Sequence, residues 1–235
     1  MKLRLNNLLV MMIVVALSFL WSGCAWEDGE QVNDEPNQET DGGDNLPDGA
    51  DGIADPGPGA DDDFTPDNYP PGPYGVGYND TAENFGIEEL LCDVDPPRGK
   101  PLFLSDFLDS KLTMFTVHAG WCPVCKVQAS TMEADIHQRF KDRGLSTVIV
   151  LFQDEAGGSD RDDLAAYACT YKERYGVTFH IAIDPDAESM RRFFRPTEAG
   201  TPLNMLIDQD MVIRYKVEGV IPNVMEATID AILSE

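Results

Sequence analysis

Two cysteines separated by two residues, Trp121-Cys122-Pro123-Val124-Cys125, are the most reactive arrangement in this chain. The run before them, Leu112 to Ala119, is mostly apolar and partly β-branched, which predicts a buried strand. The run after them predicts a helix from about Pro123 to Lys141, stopped by Gly144. Cys122 then stands at a helix N-terminus, where unpaired N–H groups and the helix dipole favour a thiolate. Cys125 follows one turn later on the same side. Pro123 suits the first helical position, whose N–H has no helical partner. One sulfur is thus activated and the other is placed to resolve a mixed disulfide. A zinc half-site would need a second pair, and Cys92 and Cys169 are single and far apart. Neither a metal nor a cofactor is expected.

The elements that position this pair alternate. After the first strand and helix come a strand over Ser146–Phe152, a helix over Asp160–Tyr175 stopped by Gly176 and a short strand over Val177–Ile183. A short helix over Asp186–Phe194 follows. Leu203–Ile207 and Met211–Val217 form a hairpin around Asp208-Gln209-Asp210, and a last helix spans Pro222–Leu233. This order predicts an α/β fold with a mixed sheet, antiparallel at one edge.

The chain of 235 residues carries 17 Lys and Arg against 42 Asp and Glu, a formal charge of −25. So acidic a surface argues against nucleic-acid binding. Lys2 and Arg4 precede a short apolar run, Leu8 to Trp21, too short to span a bilayer and shaped like a secretory signal. Ser22-Gly23-Cys24 follows and resembles a bacterial lipobox, although Trp21 stands where that pattern puts Leu. The resemblance implies a signal peptide over residues 1–23, acylation of Cys24, and a lipoprotein facing the periplasm or sent to the outer membrane. No Lys or Arg occurs between Cys24 and Arg98, and the apolar residues before Pro70 are isolated. Residues 24–73 are therefore expected to be an acidic, disordered tether, and residues 74–235 the folded domain. The Asp/Gly clusters lack EF-hand spacing, so they are read as part of the tether rather than as calcium sites.

Residues 84 to 234 resemble the thioredoxin fold, and within it the exported, membrane-tethered thiol–disulfide oxidoreductases of the TlpA-like group. The likeness rests on Asn84-Phe85, Lys100 to Phe107, Trp121 to Lys126, and Gly200-Thr201-Pro202 ahead of a strand. It implies a cis Pro202 facing the Cys pair, with the Thr201 backbone free to pair with a substrate strand. It also implies protein disulfides and thiols as substrates and a membrane electron donor. Thioredoxins proper carry an Asp where this chain has Thr116, and the tethered reductases often carry a Glu where it has Gln128. Asp154, Glu155 or a water is then left to accept the proton of Cys125.

His118, four residues before Cys122, is read as a core histidine rather than as a partner of the thiolate; His137 is read as exposed and His180 as structural. Lys126 and the Arg191, Arg192 and Arg195 cluster are read as solvated. In an oxidising compartment Cys92 and Cys169 either pair, stapling the N-terminal extension to the domain, or stay as two buried thiols. Two other functions compete. A peroxiredoxin-like peroxidase would need a Thr three residues before its reactive Cys, where this chain has Ala119 or Cys122. A surface-displayed, non-catalytic binding module would fit the tether, but does not explain the intact Cys pair.

Overall fold

A computed structural model describes residues 65–193, 200–220 and 223–235. The leader over 1–23, Cys24, most of the 24–73 tether, Phe194, Arg195 and Pro222 lie outside the described residues.

Seven strands form one mixed sheet: β1 (Gly86–Leu91), β2 (Arg98–Phe103), β3 (Leu112–Ala119), β4 (Leu145–Gln153), β5 (His180–Ile183), β6 (Leu203–Asp208) and β7 (Ile213–Glu218). Their order is β2-β1-β5-β4-β3-β6-β7. The central β3, β4 and β5 are parallel, while β1 and β2 at one edge and β6 and β7 at the other run antiparallel to their neighbours. This is a thioredoxin-like fold. All eight residues of β3 are buried, Thr113, Thr116 and His118 among them, as expected of a central strand covered on both faces.

Side-chain alternation divides the core in two. Leu112, Met114, Ile149 and Leu151 face the helices α1 (Pro123–Thr131), α3 (Arg161–Tyr175) and α5 (Val224–Ile232). Phe115, Val117, Val148 and Val150 face the other way, against Phe85, Phe107 and Phe193. Phe193 closes α4 (Glu188–Phe193).

The long helix expected after Pro123 is continuous but not uniform. A π-helical turn over Met132–His137 interrupts it before α2 (Gln138–Phe140), and Gly144 ends it at φ 102°. Asp160 caps α3, its carboxylate accepting from the N–H groups of Asp162 and Asp163. The strand expected from Val177 starts only at His180, because the Thr178 N–H and hydroxyl donate to the carboxylate of Glu133.

Strands β1 and β2 occupy the segment read from sequence only as an extension. Charged residues in the pair find partners there: Glu88 binds Arg161, and Glu89 binds Lys100 at 2.9 Å and His180 at 2.6 Å. Cys92, just past β1, is disulfide-bonded to Cys169 of α3, with 5.4 Å between their Cα atoms.

Before β1, Tyr69 is buried and its hydroxyl donates to the Ala82 carbonyl at 2.8 Å. Tyr74 bridges to Thr81, and Thr81 to Val212. The N–H groups of Asn79 and Ala82 donate to the carbonyls of Ile213 and Met211 at 2.9 and 2.8 Å, which ties this segment to the β6–β7 turn.

Candidate active site

The parallel β3 delivers its C-terminal end to a tight elbow. The Gly120 N–H donates to the Gln153 carbonyl at 2.8 Å, and the Cys122 N–H to the Ala119 carbonyl at 3.1 Å. A Cβ on Gly120 would stand 2.5 Å from both the Asp154 carbonyl carbon and the Tyr167 ring, so only glycine lets the β4 end approach this closely. Trp121 is anchored by its indole N–H, which donates to Gln153 Oε1 at 2.8 Å, yet it remains 46% exposed.

Cys122 is the N-cap of α1, and its Sγ accepts the Cys125 N–H at 3.2 Å. Pro123 opens the helix. Cys122 is 4% exposed and Cys125 fully buried; both are thiols. The loop before β6 comes up against them. The Thr201–Pro202 bond is cis. Cys122 Sγ lies 3.4 Å from the Thr201 carbonyl, which accepts its S–H, and Cys125 Sγ lies 3.3 Å from the Thr201 hydroxyl. The structure thus gathers Cys122, Cys125, Thr201 and Pro202 in one place. Trp121, Val124 and Val127 leave apolar side chains exposed beside them.

Burial, and then the adjoining Cys122 sulfur, push the Cys125 thiol up to about 12. Neither carboxylate expected from sequence attends to it. Asp154 Oδ1 accepts the N–H groups of Ala156 and Gly158, holding a turn. Glu155 is exposed and paired with Lys126 at 2.6 Å.

The polar groups beneath the pair are instead His118, Tyr171, Gln128, Asn204 and Thr116, all on the helix-facing side of the sheet. His118 is completely buried, with Nδ1 3.1 Å from the Tyr171 hydroxyl and Nε2 3.2 Å from Gln128 Oε1. Gln128 Nε2 donates to Asn204 Oδ1 at 2.6 Å, Thr116 donates to the same oxygen at 2.9 Å, and Asn204 Nδ2 donates to the Gly219 carbonyl at 2.9 Å. Tyr171 also lies 3.2 Å from the Cys125 carbonyl, to which it is a donor. Desolvation lowers His118 to about 4, with the Gln128 bond acting weakly the other way. Burial raises the Tyr171 hydroxyl, which keeps its proton.

His118 is therefore a buried, hydrogen-bonded histidine, as expected, but it belongs to a network that the sequence did not disclose. Tyr171 and Asn204 were missed. Their signals were present: a lone polar residue in Leu203-Asn204-Met205-Leu206, and Tyr167, Tyr171 and Tyr175 at helical spacing. His137, expected to be exposed, is partly buried with its ring 5.1 Å from that of Phe179. Arg192, read from sequence as solvated, is instead partly buried and paired with Glu188 and Glu83.

Residues 79–233 match the model of the redoxin family. No curated protein matches the chain. Solved structures similar in fold include a putative thiol:disulfide interchange protein DsbE from Chlorobium tepidum. It is 21% identical, covers 68% of this chain and 99% of its own, and has a TM-score of 0.53. A putative protein disulfide isomerase from Bacteroides thetaiotaomicron is 24% identical, with coverage of 69% and 93% and a TM-score of 0.54. A 2-Cys peroxiredoxin from Plasmodium vivax is 13% identical, with coverage of 67% and 82% and a TM-score of 0.51. The fold accommodates both chemistries. The family match spans the sheet, the Cys-x-x-Cys elbow and the Thr201–Pro202 loop, and on it this chain belongs to the redoxin family.

Proposed function

We propose that the protein is an exported, membrane-tethered thiol–disulfide oxidoreductase that works as a reductase of protein disulfides through Cys122 and Cys125. The observation that carries this reading is the N-cap geometry: Cys122 Sγ receives the Cys125 N–H at 3.2 Å while Cys125 itself is fully enclosed. Cys122 thiolate attacks one sulfur of a substrate disulfide. A Cys122–substrate disulfide forms, the substrate bond breaks, and the leaving thiolate takes a proton. Cys125, deprotonated, then attacks Cys122 Sγ and expels the second substrate thiolate. Two electrons pass from the dithiol to the substrate, and a membrane dithiol donor restores the pair. The Thr201 backbone beside the sulfurs offers a strand-like edge to an extended substrate, and Trp121, Val124 and Val127 offer it apolar contact.

Export is supported by Lys2, Arg4 and the apolar run from Leu8 to Trp21. The Cys92–Cys169 disulfide fits an oxidising compartment. Cys24, after Ser22-Gly23, is the proposed lipidated N-terminus of the mature chain, with the acidic segment as its tether. A periplasm-facing or outer-membrane lipoprotein is the localisation this implies.

Reduction of insulin disulfides by the purified protein, with a dithiol as donor, tests the activity. Turnover that disappears in Cys122→Ser supports the proposal. A pair that stays oxidised under strong reductant, or a protein that shows no turnover, would leave a binding module as the better description.

A further inference from the structure

The buried network beneath the sulfurs has its donors and acceptors fixed from one end. The Gly219 carbonyl can only accept, so Asn204 turns its amide N–H towards it and its Oδ1 towards Gln128. Gln128 must then donate to Asn204 and present Oε1 to His118. His118 Nε2 consequently carries a proton, and in the neutral ring Nδ1 is an acceptor. Tyr171 faces two acceptors, Nδ1 at 3.1 Å and the Cys125 carbonyl at 3.2 Å, with one proton to give. One of those contacts lacks a donor whenever His118 is neutral. A second proton on the ring removes the shortage: Nδ1–H donates to Tyr171, and Tyr171 donates to Cys125.

That second proton is opposed by burial alone. The groups facing the ring are Tyr171 from α3 and Gln128 from α1, with Asn204 of β6 and Thr116 of β3 behind Gln128; none carries charge. Tyr167 and Tyr175 flank Tyr171 with ring centroids at 6.0 and 4.6 Å, and Cys125 and Cys122 are the thiols that act on its hydroxyl. A charge missing from this list appears during turnover, when Cys125 must become a thiolate. We propose that His118 is the positioning residue for that step: Cys125 gives up its proton as His118 takes one at Nδ1, and the Tyr171 hydroxyl turns from the ring to the Cys125 carbonyl. Thiol plus imidazole becomes thiolate plus imidazolium, the buried net charge stays at zero, and no solvent hydroxide is consumed. When Cys125 Sγ bonds to Cys122, His118 loses its second proton and the departing substrate thiolate takes one up, so the proton count again balances. His118 acts through the field it sets up and through Tyr171.

The inference rests on the roles proposed for Cys122 and Cys125, and its test separates the two steps. A protein substrate whose disulfide is coupled to a fluorophore and its quencher is mixed with reduced enzyme in single turnover. Formation and resolution of the mixed disulfide are followed between pH 5 and pH 9. Because one group loses a proton as the other gains one, the proton count of the protein is unchanged, which makes resolution nearly independent of pH from 5.5 to 7.5 in the wild type. His118→Gln retains hydrogen-bonding groups but has no basic nitrogen. In it, resolution should slow at least tenfold at pH 6 and rise about tenfold per pH unit, so that the gap to wild type closes towards pH 9. Tyr171→Phe, which removes the acceptor of the imidazolium proton, should change the profile in the same direction and serves if His118→Gln does not fold. Profiles of unchanged slope in the folded variants overturn the role of His118. Absence of any mixed disulfide in the wild type overturns the reading of the Cys pair instead.

Discussion

The hydroxyl of Thr201 sits between Cys125 Sγ, at 3.3 Å, and the Val117 carbonyl oxygen, at 3.0 Å. The carbonyl can only accept, so the hydroxyl proton points to Val117 and its lone pair receives the Cys125 S–H. A Cys125 thiolate reverses that demand, and the hydroxyl must turn to donate to sulfur. Thr201→Val keeps the branched shape and removes the rotor. Losing one such bond is worth about 1–1.5 kcal/mol, which predicts roughly tenfold slower release of substrate from Cys122 in single turnover. An unchanged rate would place the hydroxyl outside the reaction.

The two sulfurs should be distinguishable by trapping. Cys125→Ser leaves nothing to displace a substrate from Cys122 and should accumulate a mixed disulfide, visible on a non-reducing gel. Cys122→Ser should accumulate almost none, because Cys125 is fully enclosed. Equal trapping by both variants would contradict the assigned roles.

Acid should weaken the fold through His118. Its folded value near 4 lies below the ordinary 6.5, so the unfolded chain binds the extra proton first. Stability is then lost as the pH falls from about 6.5 towards 4 and levels off below. The difference amounts to about 3 kcal/mol at 1.36 kcal/mol per unit. Urea denaturation at pH 7 and pH 4 should show a fall in the wild type that exceeds the fall in His118→Gln by about that amount.

Gly120→Ala should destabilise the elbow. The new methyl would meet backbone at Asp154, which cannot swing aside as a flexible side chain can. Overpacking of this kind costs about 1–3 kcal/mol. Urea unfolding at pH 7 measures it, and a change below a few tenths of a kcal/mol would show that the β4 end yields freely.

The Cys92–Cys169 bond closes a loop of 77 residues in sequence separation. Chain-entropy arguments give about 4 kcal/mol for a loop of that size, reduced by any structure that persists in the unfolded chain. Cys92→Ser with Cys169→Ser should lower the midpoint of unfolding accordingly while retaining insulin reduction. Loss of activity with the fold intact would bring the second pair into the chemistry.

Much of this was legible because local signals and burial agreed. The edges of β3 follow from a mostly apolar, partly β-branched run, and the elbow follows from Cys122 and Pro123 at the start of α1. Strands β1 and β2 were not legible. Glu88, Glu89, Arg98 and Lys100 carry charge in both, and the partners of Glu88 and Glu89 include Arg161 and His180, distant in sequence. The same holds for the site. The sulfur pair is a contiguous motif, whereas the network beneath it joins residues 116, 118, 128, 171 and 204. Each of these is an unremarkable polar residue until the sheet places Thr116 opposite Asn204.

The attachment of the N-terminal segment bears on mechanics. If the chain is held from its N-terminus, tension first meets the Tyr69–Ala82 bond and then the rungs linking Asn79 and Ala82 to Ile213 and Met211. The load enters the sheet at the outer β6–β7 hairpin, three or more strands from the Cys92–Cys169 bond on the far side. The rungs linking 74–82 to 211–213 would open before β3 bears force, so a strained leash could peel while the thiols keep their geometry.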